Sequence, residues 1–224
     1  MAIWNLGSIN IDHVYRLDRL PGPGETLAST GHSLGLGGKG ANQSIAAARA
    51  GAMTHHLGAI GAGDDWVIER LRHAGVCPAA IRQLDAEVTG HAIILLDARA
   101  ENMIVIHPGA NTALKAADIA AALTGIGPRD TLLIQNETNG QTDAARIARR
   151  AGARVIYSAA PFAVEADSLP EGKFTDPDVT ADGSQRAEVP LLTLETLWLC
   201  TGTLCNLACA TCYIESSPTN DALV

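Results

Sequence analysis

From residue 2 to about residue 160, short apolar runs alternate with alanine-rich stretches. AIWNLGSI, THHLGAIG, GHAIILLD, NMIVIH, DTLLIQN and ARVIYSA have the length and apolar character of strands. GANQSIAAARAGA, DDWVIERLRHAG, LKAADIAAALTGIG and GQTDAARIARRAGA predict helices, with glycine at or next to their ends. Strand–helix alternation of this kind predicts an α/β fold with a mostly parallel sheet. Two features interrupt it. VYRLDRLPGPGETLASTGHSLGLGG, between the first strand and the first helix, is polar and turn-rich and predicts a small exposed flap of strands. GHAIILLD and NMIVIHPG, joined by ARAE, predict a hairpin.

After Phe162 the pattern is lost. EADSLPEGKFTDPDVTADGSQRAEVP is acidic and rich in proline and glycine, with no hydrophobic period, and reads as a linker. One apolar run, LLTLETLWL, follows, and then a cluster of cysteines. No internal repeat is present. At 224 residues the chain is long enough for one large domain or one domain plus a fragment.

Composition narrows the function classes. A hydrophobic content of 47% supplies a core, and 4% aromatic residues leave that core to Ala, Leu, Ile and Val. The formal charge of −8 argues against nucleic acid as a partner, because phosphate binding needs clustered Lys and Arg. No apolar stretch reaches membrane-spanning length, and MAIWNLGSIN has neither the basic nor the apolar region of a secretory leader. Four of the five cysteines fall in the last 25 residues, unlike a disulfide framework, which points to a reducing, cytoplasmic setting.

GLGGKGANQS holds the first concentration of chemistry. It contains a G-x-G-x-x-G string, but the polar TLASTGHSLGL ahead of it is not the apolar strand a dinucleotide site requires. Lys39 is followed by Gly and not by Ser or Thr, so it is not a P-loop either. Consecutive glycines let backbone N–H groups approach a ligand, and the helix beginning there points its positive end at the same place. Lys39 and Asn42 add donors, and Asp12, placed at the end of the first strand, adds acceptors. Mixed donors and acceptors suit a polyhydroxylated ligand; a glycine turn that merely caps a helix is the plainer reading.

The run from Leu6 to Ala52 resembles the N-terminal signature region of the ribokinase (PfkB-type) family of carbohydrate kinases. NID is similar to its Asn-x-Asp, PGPGET to its Pro-Gly-Glu flap, and GGKGANQ to its first glycine signature. GAGDDWVIERL, the paired strands through HPGAN and the Glu-bearing LLIQNE continue the likeness across residues 3–162. The resemblance implies a ribokinase-like sheet flanked by helices with a small β lid, here truncated and followed by an irregular tail. It implies ATP with Mg2+ as donor and a small-molecule sugar or nucleoside as acceptor. By position it implies that Asn10, Asp12, Gly38, Lys39, Asn42 and Glu137 hold the sugar.

The family's catalytic Gly-Ala-Gly-Asp helix, its Asn-x-x-Glu motif and its adenine-binding region have no counterpart here, so no catalytic residue is assigned and turnover is not expected. The GAGD at Gly61–Asp64 lies ahead of the hairpin, where Asp64 reads as a helix N-cap. Missing strands would leave an open sheet edge and favour self-association or a homodimer. His55 and His56 alternate across one strand and make poor joint ligands, and Cys77, after a helix, reads as a packed small residue.

Cys205, Cys209 and Cys212 stand at C-x3-C-x2-C spacing. Three thiolates leave one iron of a [4Fe–4S] cluster open, and residues 191–221 resemble the cluster loop of radical S-adenosylmethionine enzymes. A zinc knot with Cys200 as fourth ligand and a loop of free thiols are the other readings. The resulting domain plan is a kinase-like portion at 1–164, a linker at 165–190 and a cluster-loop fragment at 191–224, as in two proteins joined and each cut short.

Overall fold

The structure, a computed structural model, describes residues 1–158 and 160. In chain order the elements are β1 (Ala2–Leu6), β2 (Asn10–Arg16), β3 (Gly31–Gly37), α1 (Lys39–Arg49), β4 (Met53–Gly61), α2 (Asp65–His73), β5 (Val76–Leu84), β6 (Gly90–Leu96) and β7 (Asn102–His107). A 3-10 turn (Gly109–Thr112), α3 (Ala116–Ala122), β8 (Thr131–Gln135), α4 (Gln141–Arg150) and β9 (Arg154–Ser158) follow. The linker and the cysteine segment lie outside the described residues.

Five strands form a wholly parallel sheet in the order β5-β4-β1-β8-β9. Alternation across the pleat sends apolar side chains to both faces, because helices cover both. Ile9, Ile60, Val67, Leu71 and Val76 pack with α1 and α2 on one face. Leu6, Leu57, Leu132, Ile134, Ile119 and Ala148 pack with α3 and α4 on the other. The chain leaves β1 toward β4 and β5 on one side and returns to β8 and β9 on the other. Ligands of open α/β sheets bind at the carboxyl ends of strands where the order reverses in this way.

The flap and the hairpin are one unit. They form a four-stranded sheet in the order β3-β2-β6-β7, with β2 and β6 parallel and the outer pairs antiparallel. This lid is rooted beside the carboxyl end of β1, through Gly7–Ile9.

The structure corrects several expectations. The first strand ends at Leu6, so Asp12 is the third residue of β2, in the lid. α3 stops at Ala122, ahead of Thr124, Gly125 and Gly127. Cys77 is the second residue of β5, a strand hidden from pattern reading by Pro78 and by polar side chains. Pro78 is tolerated because β5 is the outermost strand and pairs irregularly there, with a register shift between His55 and Leu57 of β4. The histidine reading holds, since His56 is buried while His55 stacks on Trp4 at 4.3 Å. Among the described residues no helix is long and apolar enough to cross a membrane.

Candidate functional site

β1 and β8 are neighbours in the sheet, so the residues just past their carboxyl ends meet. Ser8 follows β1 and Glu137 follows β8. The Ser8 hydroxyl donates to Glu137 Oε2 at 2.5 Å, and the Lys39 backbone N–H donates to the same oxygen at 3.1 Å. Lys39 Nζ donates to Glu137 Oε1 at 2.5 Å, closing an ion pair in which the Glu137 side chain is 11% exposed. Ser8 also accepts on both its oxygens, from Gly40 N at 3.2 Å and Ala41 N at 2.9 Å.

These bonds change the role expected of α1. The first N–H groups of a helix have no partner inside it. Here Glu137 takes that of Lys39, and Ser8 takes those of Gly40 and Ala41. The carboxylate sits at the positive helix end, where it is favoured. The N–H groups of Lys39, Gly40 and Ala41, expected to greet a ligand, are therefore occupied within the protein.

Glycine makes this arrangement fit. Gly38 has φ 90°, a conformation L side chains rarely adopt, and a Cβ there would stand 2.8 Å from the Ser8 carbonyl oxygen. Gly7 and Gly40 touch backbone to backbone, so a Cβ on Gly7 would fall on the Cα of Gly40, and one on Gly40 would fall on Gly7. α1 thereby lies directly on the end of β1.

Behind the contact runs a buried polar chain. Gln135 Nε2 donates to Asn5 Oδ1 at 2.7 Å, and Asn5 Nδ2 donates to Gly40 O at 2.8 Å and to Ser44 Oγ at 2.9 Å. His56 Nε2 lies 3.1 Å from the Gly7 carbonyl, which can only accept, so Nε2 carries the proton. His56 Nδ1 then accepts from Ser44 Oγ at 2.8 Å. Burial pushes the His56 imidazole down to about 4, with the bond to Gly7 opposing the shift.

Asn10 and Asp12 approach from the lid. Buried Asn111, in the 3-10 turn, donates to Asn10 Oδ1 at 2.8 Å and to Ile9 O at 3.1 Å, and accepts from Ile9 N at 2.9 Å. With its oxygen taken, Asn10 keeps its NH2 as the group to offer. Asp12 is half-buried; burial, and then the nearby charge of Glu137, hold its carboxyl above the ordinary carboxylate range. Asn42 lies in the first turn of α1, its N–H donating to Gly38 O at 3.0 Å. The structure thus gathers Asn10, Asp12, Gly38, Lys39, Asn42 and Glu137 around the root of the lid. Ser8 and Asn111 were missed; only the turn-forming PGAN around Asn111 marks either of them in the sequence.

Other expected sites lie apart or outside. Asp64 does occupy the position before α2, but its carboxylate accepts from the Thr89 hydroxyl and caps no helix N–H. Its φ of −98° and ψ of 35° are not the extended geometry that aims a capping side chain into the first turn. PGPGET contributes Pro21, Glu25 and Thr26 to a separate groove of about 360 Å³, also lined by Tyr15 and Leu95. Among the described residues no three His, Cys, Asp or Glu side chains are placed together to hold a metal ion. Cys200, Cys205, Cys209 and Cys212 lie outside the described residues.

Residues 3–164 match the pfkB family carbohydrate kinase model. The chain is 37% identical to the ribokinase of Haemophilus influenzae over 170 residues, which is 73% of this chain and 55% of that protein. The crystal structure of ribokinase from Cryptococcus neoformans var. grubii in complex with ADP is similar at 36% identity and TM-score 0.62, over 74% of this chain and 53% of that one. The structure of Arabidopsis thaliana ribokinase complexed with ribose and ATP is similar at 29% identity and TM-score 0.59, over 70% and 53%. The chain spans about half the length of the relatives it matches.

Proposed function

The chain belongs to the pfkB family of carbohydrate kinases, and on that footing we propose that residues 1–164 are the part of a ribokinase-like enzyme that grips the acceptor, a ribose-like sugar or nucleoside. Asn10, Asp12 and Asn42 meet the ligand hydroxyls, while Glu137 and Lys39 hold the glycine turn at Gly38 against them. The observation that carries this reading is the placement of the Asp12 carboxylate against Gly37 at the glycine turn, beside Asn10, whose oxygen is taken by Asn111 and whose NH2 is left to donate. Acceptors so placed beside amide donors match hydroxyls, each of which gives and takes a hydrogen bond.

ATP with Mg2+ supplies the phosphoryl group in this reading. Mg2+ in such a reaction is held mostly by phosphate oxygens and water, with one or two protein carboxylates. The resemblance gives the described residues no counterpart of the family's catalytic aspartate. Their share is therefore to bind and orient the acceptor, and the 224-residue chain by itself is proposed to have no turnover. Positioning and electrostatic stabilisation of the transferred group are what it would lack.

Calorimetry with ribose on the wild type and Asp12→Ala tests the site. Removing a carboxylate that accepts from bound hydroxyls should weaken binding by about 2–4 kcal/mol. Equal binding by both proteins would remove the assignment.

Two further parts of the reading concern other surfaces. Met103, Ile104, Val105 and Ile106 of β7 are each about half exposed or more, which supports self-association of the chain, measurable by light scattering. For the 191–224 segment, joined by the 165–190 linker, the C-x3-C-x2-C spacing supports a [4Fe–4S] cluster on Cys205, Cys209 and Cys212, open to S-adenosylmethionine.

A further inference from the structure

Four histidines cross the lid, one from each strand. On β2, His13 stands two residues from Tyr15, which pairs with His32 of β3. On β6, His91 pairs with Ile11 of β2 and, on its other side, with His107 of β7. Paired residues share a face of a pleated sheet, as do residues two apart. His32, His13, His91 and His107 therefore stand on one face, and Asp12 stands on the other. Ring centres are 5.8 Å apart for His13 and His32, 6.0 Å for His13 and His91, and 5.2 Å for His91 and His107. The sugar-site reading uses none of these residues.

Two details go beyond ring packing. Two imidazoles on one tetrahedral zinc, with bonds of about 2.0–2.1 Å, have ring centres roughly 5 Å apart. His91 and His107 already have that separation. Further, His91 Nδ1 lies 3.1 Å from the Thr89 carbonyl oxygen. That oxygen only accepts, so Nδ1 carries the proton and Nε2 keeps its lone pair. A histidine that donates one ring N–H to a carbonyl and offers the other nitrogen is oriented as metal ligands are.

We propose that His91 and His107 form a two-histidine site for a divalent transition ion, zinc, on the lid face turned away from Asp12. Among the described residues no three ligating side chains converge as they stand, so the site is assigned to the pair, with His13 the neighbouring ring and the remaining positions open to water. Imidazole suits zinc, whereas Mg2+ prefers oxygen ligands. The role that follows is structural. All six residues of β7 are exposed, and an ion shared by His91 and His107 ties that strand to β6.

The test uses the full chain with Cys77, Cys200, Cys205, Cys209 and Cys212 replaced by serine, so that no thiol competes. Zn2+ is titrated against a chromophoric chelator, and the imidazole resonances are followed by NMR. One equivalent of Zn2+ should bind, shifting the signals of His91 and His107. His91→Ala and His107→Ala should each weaken binding by about tenfold or more, the scale seen when a metal site loses a supporting group. His55→Ala, in the other sheet, should leave it unchanged. His91→Gln, which keeps the side-chain bulk, serves if alanine disturbs the lid. No stoichiometric uptake, or uptake that survives the His91→Ala/His107→Ala double variant, overturns the proposal. Either result stands apart from ribose binding, which reports on the opposite face.

Discussion

Ser8 Oγ donates to Glu137 Oε2 at 2.5 Å, joining residues 129 positions apart. The bond exists because β1 and β8 lie side by side and both end at the same edge. Glu137 also takes the N–H and the ammonium of Lys39, so one carboxylate binds two strands to the start of α1. In Glu137→Gln the charge is lost and one oxygen becomes an amide donor facing donors. Hydrogen bonds to charged groups are worth about 1.5–3 kcal/mol, so stability should fall on that order. A urea-denaturation cycle with Ser8→Ala checks it. A coupling energy below about 0.3–0.5 kcal/mol, the scatter of independent sites, would show that the two residues do not act together.

Asp12→Asn should separate stability from binding. The folded environment disfavours the ionised carboxylate, first through burial and then through the charge of Glu137. A carboxyl raised in the fold leaves stability intact at low pH and reduces it once pH climbs past the raised value. The isosteric amide removes that penalty. Its melting temperature should exceed that of the wild type at pH 7, and the gain should vanish as pH drops below about 3.9, the ordinary Asp value. Ribose binding should fall in the same variant. An unchanged or lower melting temperature at pH 7 would contradict the electrostatic account.

His56 sets an acid limit on the fold. Its imidazole is held down to about 4 against an ordinary 6.5. Between those values the unfolded chain binds more protons than the folded one, so stability rises with pH across that window. The contribution is complete above 6.5 and is lost as pH falls through about 4, amounting to ~3 kcal/mol. Unfolding free energies at pH 7 and pH 4.5 should differ accordingly, and His56→Gln should flatten the dependence. A wild type equally stable at both would count against a neutral buried imidazole.

The terminal cysteines can be tested on the full chain. Anaerobic reconstitution with iron and sulfide should give a broad brown absorbance that fades in air, strongly reduced in Cys209→Ala and unaffected in Cys77→Ala. S-adenosylmethionine cleavage should stay absent. Stoichiometric zinc with no iron uptake, lost with Cys200, would assign the segment to a small zinc site instead.

Local pattern carried the outline of this protein. Strand and helix alternation, the glycine turn before α1 and the β6–β7 hairpin are written in neighbouring residues, because periodicity and glycine act within a few positions. The same locality brought Asp12, Lys39 and Asn42 into view as candidates, and the family resemblance added Asn10. What only the tertiary structure decided depends on pairing between distant strands. It made β5 an edge strand able to accept Pro78, put Asp12 in the lid, and turned the N–H groups of α1 toward Ser8 and Glu137. It also set Asn111 against Asn10 across 101 positions and lined up four histidines from four strands. Sequence spacing holds no trace of such contacts, because strand order and register are chosen by burial of the whole sheet.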